Sequence, residues 1–301
     1  MTDPAATVLV AGSANLDFVV RADHIPGPGE TVLGRGFATF PGGKGANQAV
    51  ACARAGGAAT AMLVGLGADA NAAALEASLR AAGVALSIVR DAVRATGAAF
   101  ICVDDHAENA ITVAPGANAA LAPGHLPPLD GITHLLLQLE TPLASVTAYA
   151  RAARAAGVRV VLNAAPAQPL PAELLGAVDV LVVNDGELAA ITGIANDRDA
   201  ALRALAVPVV VVTLGADGCL ARERGGAALR LPGFAVDAVD TTGAGDTFCG
   251  ALVAALGRAT PLRRALVEAG AAAALACTRP GAQASIPQRA EVLAFLAARE
   301  G

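Results

Sequence analysis

The chain has 301 residues, of which 55% are hydrophobic and 16% are charged, and its formal net charge is −5. A chain of this length buries roughly three quarters of the surface that its unfolded form exposes, so we expect one large α/β domain or two small ones. The negative charge, the lack of a basic run and the 3% aromatic content argue against nucleic acid or an anionic membrane as a partner.

Cysteine usage and targeting features predict a cytoplasmic protein. The five cysteines are scattered and form no Cys-x-x-Cys pair, which is typical of reduced thiols. No cationic segment followed by an apolar core opens the sequence, so we expect no secretory signal. No apolar run reaches the roughly 18 residues that a membrane-spanning helix needs.

The first predicted strand, at residues 7–12, is a short apolar run of the kind that a buried parallel strand forms. Asn15 and Asp17 follow it directly. Ligands of open α/β sheets bind beyond the carboxyl ends of the strands, so these side chains are placed to bind a polyhydroxyl substrate. A turn rich in Asn and Asp explains the same residues without any ligand.

A glycine motif at residues 42–47 leads into a predicted helix at 48–54. No Ser or Thr follows Lys44, so the motif is not a Walker A phosphate loop. Its glycines instead allow the backbone to approach a sugar closely, although Lys44 could equally be a solvated side chain. The motif consists of Gly42, Gly43, Lys44, Gly45, Ala46 and Asn47.

Residues 61–70 imitate the fingerprint of dinucleotide-binding proteins. An apolar run ends in Gly65-Leu-Gly67-Ala-Asp-Ala70, a helical stretch follows, and Asp91 stands about 20 residues further on. The fingerprint normally belongs to the first strand–helix unit, which a different motif occupies in this sequence. A nicotinamide-dependent oxidoreductase is therefore kept only as a remote alternative.

A small sheet apart from the main layers is predicted from two parts of the chain. Apolar runs at 98–103 and 110–113 flank a polar loop and predict a β-hairpin. Together with residues of the segment 18–40, they would form a lid from about 18–40 and 96–114, which excludes water when it closes. The exposed face or edge of this sheet is the predicted surface of a homodimer.

Strands and helices then alternate regularly, which predicts right-handed crossovers and a mostly parallel sheet covered on both faces. The predicted strands lie at 134–139, 158–163, 180–184 and 207–213, and the predicted helices include 143–156 and 197–206.

Polar residues follow several of these strands, namely Glu140, Asn163, Asn184 and Glu187. Mg²⁺ prefers oxygen ligands and keeps several of its waters, so we expect Glu187 to bind Mg²⁺ through water beside nucleotide phosphates. A carboxylate that stabilises a helix N-terminus explains Glu187 equally well.

Residues 243–246 read Gly-Ala-Gly-Asp and precede an apolar helical run at 248–256. Backbone N–H groups at a helix start have no intrahelical partner, and small residues let them close around a phosphate. We expect the N–H groups of Gly243, Ala244 and Gly245 to stabilise a transferring group. Asp246 beside them is suited to accept the proton of an attacking hydroxyl, whereas helix capping alone would not require the glycines.

Residues 240–248 resemble the C-terminal signature of the ribokinase-like (PfkB) sugar kinases, and the similarity extends over nearly the whole chain. The resemblance implies a single domain, 1–301, with an α/β fold: a three-layer αβα sandwich with a mostly parallel central sheet and a small β-sheet lid. It also implies that Asn15, Asp17 and Glu140 bind sugar hydroxyls. The glycine motif at residues 42–47 matches the substrate motif of the family, and Asp246 would contact the substrate as well.

The resemblance further implies a nucleotide site and a cation site. The ATP site would contain Asn184, Gly245, Asp246, Gly270 and the glycine turn formed by Thr213, Leu214, Gly215, Ala216, Asp217 and Gly218. A K⁺ ion held mainly by backbone oxygens would lie among Asp240, Thr242, Ala276, Arg279, Gly281 and Ser285. The sequence departs from the family at Gly270, where His or Asn is usual near adenine, and at Ala164, where Pro is usual.

These observations together predict an ATP-dependent kinase, aided by Mg²⁺ and K⁺, that phosphorylates O5 of D-ribose with Asp246 as the base. The alternatives within the family are kinases for deoxyribose, fructose or an adenosine-like nucleoside. A catalytically silent sugar-binding regulator is a further alternative, against which the intact Asp246 argues.

Overall fold

The computed structural model describes residues 7–106 and 108–300. The strands are β1 (Thr7–Ala11), β2 (Asn15–Arg21), β3 (Gly36–Gly42), β4 (Ala59–Gly67), β5 (Ala85–Asp91), β6 (Gly97–Val103), β7 (Asn109–Ala114), β8 (Ile132–Leu137), β9 (Arg159–Asn163), β10 (Val180–Asn184), β11 (Val209–Thr213), β12 (Cys219–Glu223) and β13 (Ala228–Leu231). The helices are α1 (Lys44–Ala53), α2 (Ala70–Ala81), α3 (Leu143–Ala155), α4 (Ala172–Leu175), α5 (Asp185–Thr192), α6 (Arg198–Ala204), α7 (Ala244–Gly257), α8 (Leu262–Cys277), α9 (Ala282–Ser285) and α10 (Arg289–Glu300).

The main sheet has nine strands in the order β13-β12-β11-β10-β9-β8-β1-β4-β5. The strands from β11 to β5 pair in parallel, and β12 and β13 add an antiparallel edge. This confirms the predicted α/β fold with a mostly parallel central sheet. The antiparallel edge is absent from the sequence prediction because its two strands are short and lack a long apolar run.

The two faces of the sheet bury two separate hydrophobic cores. Alternation along β1 directs Val8 and Val10 into one core and Leu9 and Ala11 into the other. The first core receives apolar residues from α1, α2, α7, α8 and α10, and the second receives them from α3, α4, α5 and α6. Helices therefore cover the sheet on both sides, as the predicted sandwich requires.

A second, four-stranded sheet has the order β3-β2-β6-β7. Its strand β2 begins at Asn15, ahead of the start near residue 18 that the sequence predicts. Since only residues 12–14 separate β1 from β2, Asn15 and Asp17 lie where the small sheet leaves the main one. Both polar side chains are thereby held on a strand and not in a loop.

Within the described residues, no helix has the length and apolar character that a bilayer crossing demands.

Helix α7 begins at Ala244, so Asp246 lies in its first turn and not before the helix. This position brings the carboxylate close to the N–H groups at the start of α7, which have no partner within the helix.

Candidate active site

The sugar-side residues converge at the junction of the two sheets. Gly42 pairs with Asn15 across β2 and β3, and a Cβ atom at Gly42 would overlap the Asp17 carboxylate. Gly43 has a φ of 88°, and a Cβ atom there would lie 2.7 Å from the backbone nitrogen of Asn15. Glycine is therefore required in this motif, because the backbone passes directly over the residues predicted to bind sugar.

Glu140 connects three parts of this junction. Its Oε2 atom accepts a hydrogen bond from the Ser13 hydroxyl at 2.5 Å and another from the Lys44 backbone N–H at 3.0 Å. The Ser13 hydroxyl in turn accepts a hydrogen bond from the Gly45 N–H at 3.3 Å. Glu140 thus joins the end of β1 to the first turn of α1, and sequence reasoning missed Ser13 altogether.

Asn118 is a second residue that sequence reasoning missed. It is 1% exposed, its Oδ1 atom accepts from the Ala14 N–H at 3.0 Å, and its Nδ2 atom donates to Asn15 Oδ1 at 2.8 Å. This side chain holds Asn15 in one orientation across 103 positions of the sequence. No local pattern in the sequence could have revealed a contact over that separation.

The start of α7 has the geometry of an anion site. Gly243 adopts the left-handed conformation with φ of 75°, and its carbonyl oxygen accepts from the N–H and the hydroxyl of Thr247. A Cβ atom at Gly245 would meet no atom within 4 Å, so the space beside this turn is open. The Ala244 N–H donates to the Thr241 carbonyl oxygen at 3.2 Å, whereas the open space beside Gly245 leaves room for a phosphoryl group, which the helix dipole also favours.

Asp246 is held by two amide side chains of α1. Asn47 Nδ2 donates to its Oδ2 atom at 2.9 Å, and Gln48 Nε2 donates to its Oδ1 atom at 2.9 Å. Burial raises the pKa of Asp246, while the Lys44 charge and the two amides oppose that shift. The result is a carboxylate with both oxygens oriented and a raised affinity for a proton, as a general base requires.

Carboxylates crowd the space around Asp246. Burial, together with the charges of Glu140 and Asp246, raises the pKa of Asp17 to about 7. Burial alone would lower the pKa of Lys44, but the neighbouring carboxylates outweigh this effect and raise it, so the ammonium group stays charged. Lys44 is also the only lysine of a chain that otherwise uses arginine for its cations.

The predicted nucleotide residues lie further along the same edge of the sheet. Asn184 and Thr213 are direct partners in the pairing of β10 with β11. Asn184 caps α5, and Glu187 Oε2 accepts from the Asn184 N–H at 2.8 Å. Burial raises the pKa of Glu187, and the charge of Asp246 adds to this shift.

The glycine turn after β11 is a single 3-10 turn at Gly215–Asp217, followed by Gly218 with a φ of 92°. Gly270 lies on α8, where a Cβ atom would be 3.6 Å from the Phe234 ring. The small residue at 270 therefore leaves space beside Phe234 on the predicted adenine side.

The residues predicted to bind the sugar and those predicted to bind the nucleotide lie near the carboxyl ends of strands of the main sheet. Four strand spacings separate β1 from β11. At about 4.8 Å for each spacing, the two groups are about 19 Å apart, a span that a nucleoside triphosphate and a sugar can cover together. Asp246 and Asn163 lie between them, because α7 packs on β1 and β8.

Asp240 joins the two parts of the chain that contain the predicted cation residues. Thr242 lies with Asp240 before α7, whereas Ala276, Arg279, Gly281 and Ser285 extend from the end of α8 to the end of α9. The Oδ1 atom of Asp240 accepts from the Thr242 N–H and its Oδ2 atom from the Gly281 N–H, both at 2.8 Å. Burial would raise the pKa of Asp240, but these hydrogen bonds outweigh burial and lower it. Arg279 forms an ion pair with Glu291, and the Ser285 hydroxyl donates to Ala282 O.

Comparison with known proteins agrees with this arrangement. Residues 5–289 match the family described as pfkB family carbohydrate kinase. A ribokinase of Haemophilus influenzae is 39% identical over 302 residues, covering 96% of this chain and 98% of that protein. Both comparisons cover nearly the whole chain.

Solved structures give the same result. The crystal structure of a ribokinase from Thermotoga maritima has a TM-score of 0.90 and 36% identity, covering 97% of this chain and 99% of that chain. An Arabidopsis thaliana ribokinase complexed with ribose and ATP has a TM-score of 0.89 and 32% identity, with the same coverage. This chain therefore belongs to the pfkB family of carbohydrate kinases.

Proposed function

We propose that this carbohydrate kinase transfers the γ-phosphoryl group of ATP to O5 of D-ribose. The observation that carries the proposal is the position of Asp246, which stands in the first turn of α7 beside the open space at Gly245 and interacts electrostatically with Asp17, Glu140 and Lys44. The similarity to ribokinases, including one complexed with ribose and ATP, supports ribose as the acceptor.

In this mechanism each group at the site has one task. Asn15, Asp17 and Glu140 form hydrogen bonds with the sugar hydroxyls, so that the reactive hydroxyl points toward Asp246. Asp246 accepts the hydroxyl proton as the oxygen attacks the γ-phosphorus atom. The N–H groups of Gly243, Ala244 and Gly245 stabilise the negative charge on the transferring group.

We propose that Glu187 and Asn184 hold Mg²⁺ through water. The Glu187 carboxylate is penalised by burial and by the charge of Asp246, and a cation would relieve both effects. A hydrated Mg²⁺ prefers oxygen ligands, which the Glu187 carboxylate supplies. When bound, Mg²⁺ neutralises charge on the β- and γ-phosphates.

An acceptor screen tests the proposed function. ADP release would be measured with D-ribose, 2-deoxyribose, fructose and adenosine, each at equal concentration with saturating ATP. We expect the highest kcat/KM with D-ribose and a product phosphorylated at O5. A higher kcat/KM with any other acceptor would replace ribose as the substrate, and an absence of ADP release with every acceptor would contradict kinase activity.

We further propose that K⁺ binds between the two parts of the chain that Asp240 joins, among Asp240, Thr242, Ala276, Arg279, Gly281 and Ser285. The carboxylate of Asp240 is ionised, and hydroxyl and backbone oxygens supply the other ligands that a large monovalent cation prefers. The ion would stiffen the loop that precedes α7 and thereby shape the anion site.

Turnover is therefore expected to be several-fold faster in K⁺ than in Na⁺. The measurement compares kcat in KCl and NaCl at equal ionic strength, with choline chloride as the salt control. Equal rates in KCl and NaCl would refute the cation assignment while leaving the proposed phosphoryl transfer intact.

We also propose that the small sheet serves as both a lid and a homodimer interface. Phe18 stacks on Phe37 and on Phe100, and the latter two rings are 66% and 54% exposed. Ile111, on the opposite face of the sheet, is 55% exposed. Large apolar side chains grouped on a sheet are typical of an interaction surface.

The molar mass of the wild-type protein, measured by light scattering at micromolar concentration, should be twice the mass of one chain. Phe37→Asp and Ile111→Asp test the two faces of the small sheet separately. The substitution on the face that forms the dimer interface should reduce the measured mass to that of a monomer. A monomeric wild-type protein under these conditions would show that the sheet is not a dimer interface.

A cytoplasmic location is consistent with the described cysteines, all of which are free thiols. Reduced thiols persist in the cytoplasm, and burial raises the pKa of Cys52 to about 12. We therefore propose that the kinase works in the cytoplasm, where ATP is available.

A further inference from the structure

A chain of buried amide side chains leads from the core to Asp246. Gln138 Nε2 donates to Gln48 Oε1 at 2.6 Å, and Gln48 Nε2 donates to both Asp246 Oδ1 and Asn163 Oδ1 at 2.9 Å. Gln48 and Gln138 are fully buried, and Asn163 is 8% exposed. Every hydrogen-bonding atom of the Gln48 amide therefore has a partner.

The direction of these hydrogen bonds is determined by the backbone. Asn163 Nδ2 donates to the Val182 carbonyl oxygen at 3.2 Å, and a carbonyl oxygen can only accept. Asn163 must therefore turn its oxygen toward Gln48, and Gln48 must turn its NH₂ group toward Asn163 and Asp246. Gln138 reinforces this orientation, because its NH₂ group faces the oxygen of Gln48.

A close approach of two helices brings Gln48 to Asp246. A Cβ atom at Gly250 would lie 2.5 Å from Ala51 Cβ and 2.6 Å from the Gln48 carbonyl oxygen. The absence of a side chain at Gly250 thus lets α7 pack directly against α1. The orientation of Asp246 consequently depends on packing in the interior as well as on the anion loop.

We propose that Gln48 is a positioning residue, whose amide, locked by Gln138 and Asn163, holds the Asp246 carboxylate in one orientation and stabilises its ionised form. This inference rests on the proposed phosphoryl transfer. Asn47 donates to the other carboxylate oxygen, so the two amides together leave Asp246 little freedom to rotate. A carboxylate that is held in one rotamer is already oriented toward the hydroxyl proton that it accepts.

The charges around Asp246 make this support necessary. Lys44 favours its ionised form, whereas burial and Glu140 oppose it. The titratable groups that interact electrostatically with Asp246 are Lys44, Glu140, Asp17, Glu187 and Cys249. Because most of these groups are acidic, the hydrogen bond from Gln48 is one of few interactions that keep the base unprotonated near neutral pH.

The test replaces Gln48 by Met, which keeps the length of the side chain and removes the donor. Loss of a hydrogen bond to the ionised form should move the acid limb of the kcat–pH profile upward by about one pH unit. Misorientation should also lower kcat on the plateau by about tenfold, with the ribose KM within about threefold of wild type. Gln288→Met, at an exposed glutamine before α10, makes the same chemical change and should leave the profile unmoved.

A second variant and a second readout keep the inference testable by itself. Gln138→Met leaves the contact to Asp246 in place but frees the Gln48 amide to turn, so it should move the profile in the same direction by a smaller amount. A ¹³C NMR titration of the Asp246 carboxyl carbon, identified by its loss in Asp246→Asn, measures the same shift without substrate. It therefore decides the role of Gln48 even if ribose proves not to be the acceptor.

An acid limb and a carboxyl titration both within about 0.3 pH unit of wild type in Gln48→Met would overturn the inference. If Gln48→Met loses its cooperative unfolding transition, the Gln138→Met titration decides the question by the same criterion. A rise in ribose KM with an unmoved profile would assign Gln48 a role in sugar binding and would also overturn it.

Discussion

Asp246→Asn should lower kcat by roughly 10²–10⁴-fold while the ribose KM stays within about threefold of wild type. The substitution keeps the shape of the side chain but leaves one acceptor oxygen in place of two, so it loses one of the hydrogen bonds from Asn47 and Gln48. It also removes the carboxylate that is placed to take the hydroxyl proton. Steady-state kinetics with ribose and ATP measure both parameters. Because the change affects the transition state and not the bound sugar, kcat and kcat/KM should fall together.

The matched control is Asp130→Asn, which makes the same change at an exposed aspartate next to the amino end of β8. The proposed site lies at the opposite, carboxyl ends of the strands, so this control should keep wild-type kinetics. Turnover of Asp246→Asn within about threefold of wild type would show that Asp246 is not the base.

Asp17→Asn should instead raise the ribose KM by roughly 10²-fold and lower kcat by less than about tenfold. Asp17 is a half-buried carboxylate near the start of β2, and hydrogen bonds from sugar hydroxyls to an ionised acceptor are stronger than those to a neutral amide. The same kinetic assay separates this pattern from that of Asp246→Asn. A KM unchanged within about twofold would remove Asp17 from the sugar site.

The raised pKa of Asp17 predicts a pH dependence with a definite sign. With a pKa of about 7, Asp17 is mainly ionised above this pH and mainly protonated below it. The ribose KM of the wild-type enzyme should therefore rise as the pH falls through 7, and the KM of Asp17→Asn should not change over the same range. A flat wild-type profile would show that ribose binding does not depend on the charge of Asp17.

The excess of negatively charged carboxylates favours the binding of both sugar hydroxyls and cations at the site. Glu140, Asp246 and Glu187 interact electrostatically with Lys44, and Asp17 interacts with Glu140 and Asp246. Sugar hydroxyls are hydrogen-bond donors, and Mg²⁺ brings positive charge, so each relieves part of the repulsion. The triphosphate, which is itself negative, is expected to bind well only together with its metal ion.

Lysine at position 44 also has a physical reason. Lys44 is the one lysine among the 21 lysine and arginine residues of the chain, so a composition bias toward arginine does not explain it. An ammonium group is compact, and it fits among carboxylates at the crowded start of α1, where a planar guanidinium would need more room.

Sequence patterns alone predicted much of the fold. The buried parallel strands are continuous apolar runs, and the run at Val180–Asn184 has the same bounds in the sequence and in the structure. The start of α7 was evident from its two glycines, although the helix begins at Ala244, earlier than the apolar run at 248–256. These features depend on neighbours in the sequence, and local chemistry is sufficient to predict them.

The tertiary structure alone decided how the base is held. Gln48 and Asp246 are 198 positions apart, and Asn118 and Asn15 are 103 apart, so no periodicity or motif spacing connects them. Gln138 lies within the predicted strand 134–139 and could have been singled out as a polar residue in a buried run, but its partner could not. The sequence by itself determined which side chains are available at the strand ends, because these follow from local patterns of apolar and polar residues. Which of them meet is decided only by the packing of α1 on α7 and by the order of strands in the sheet.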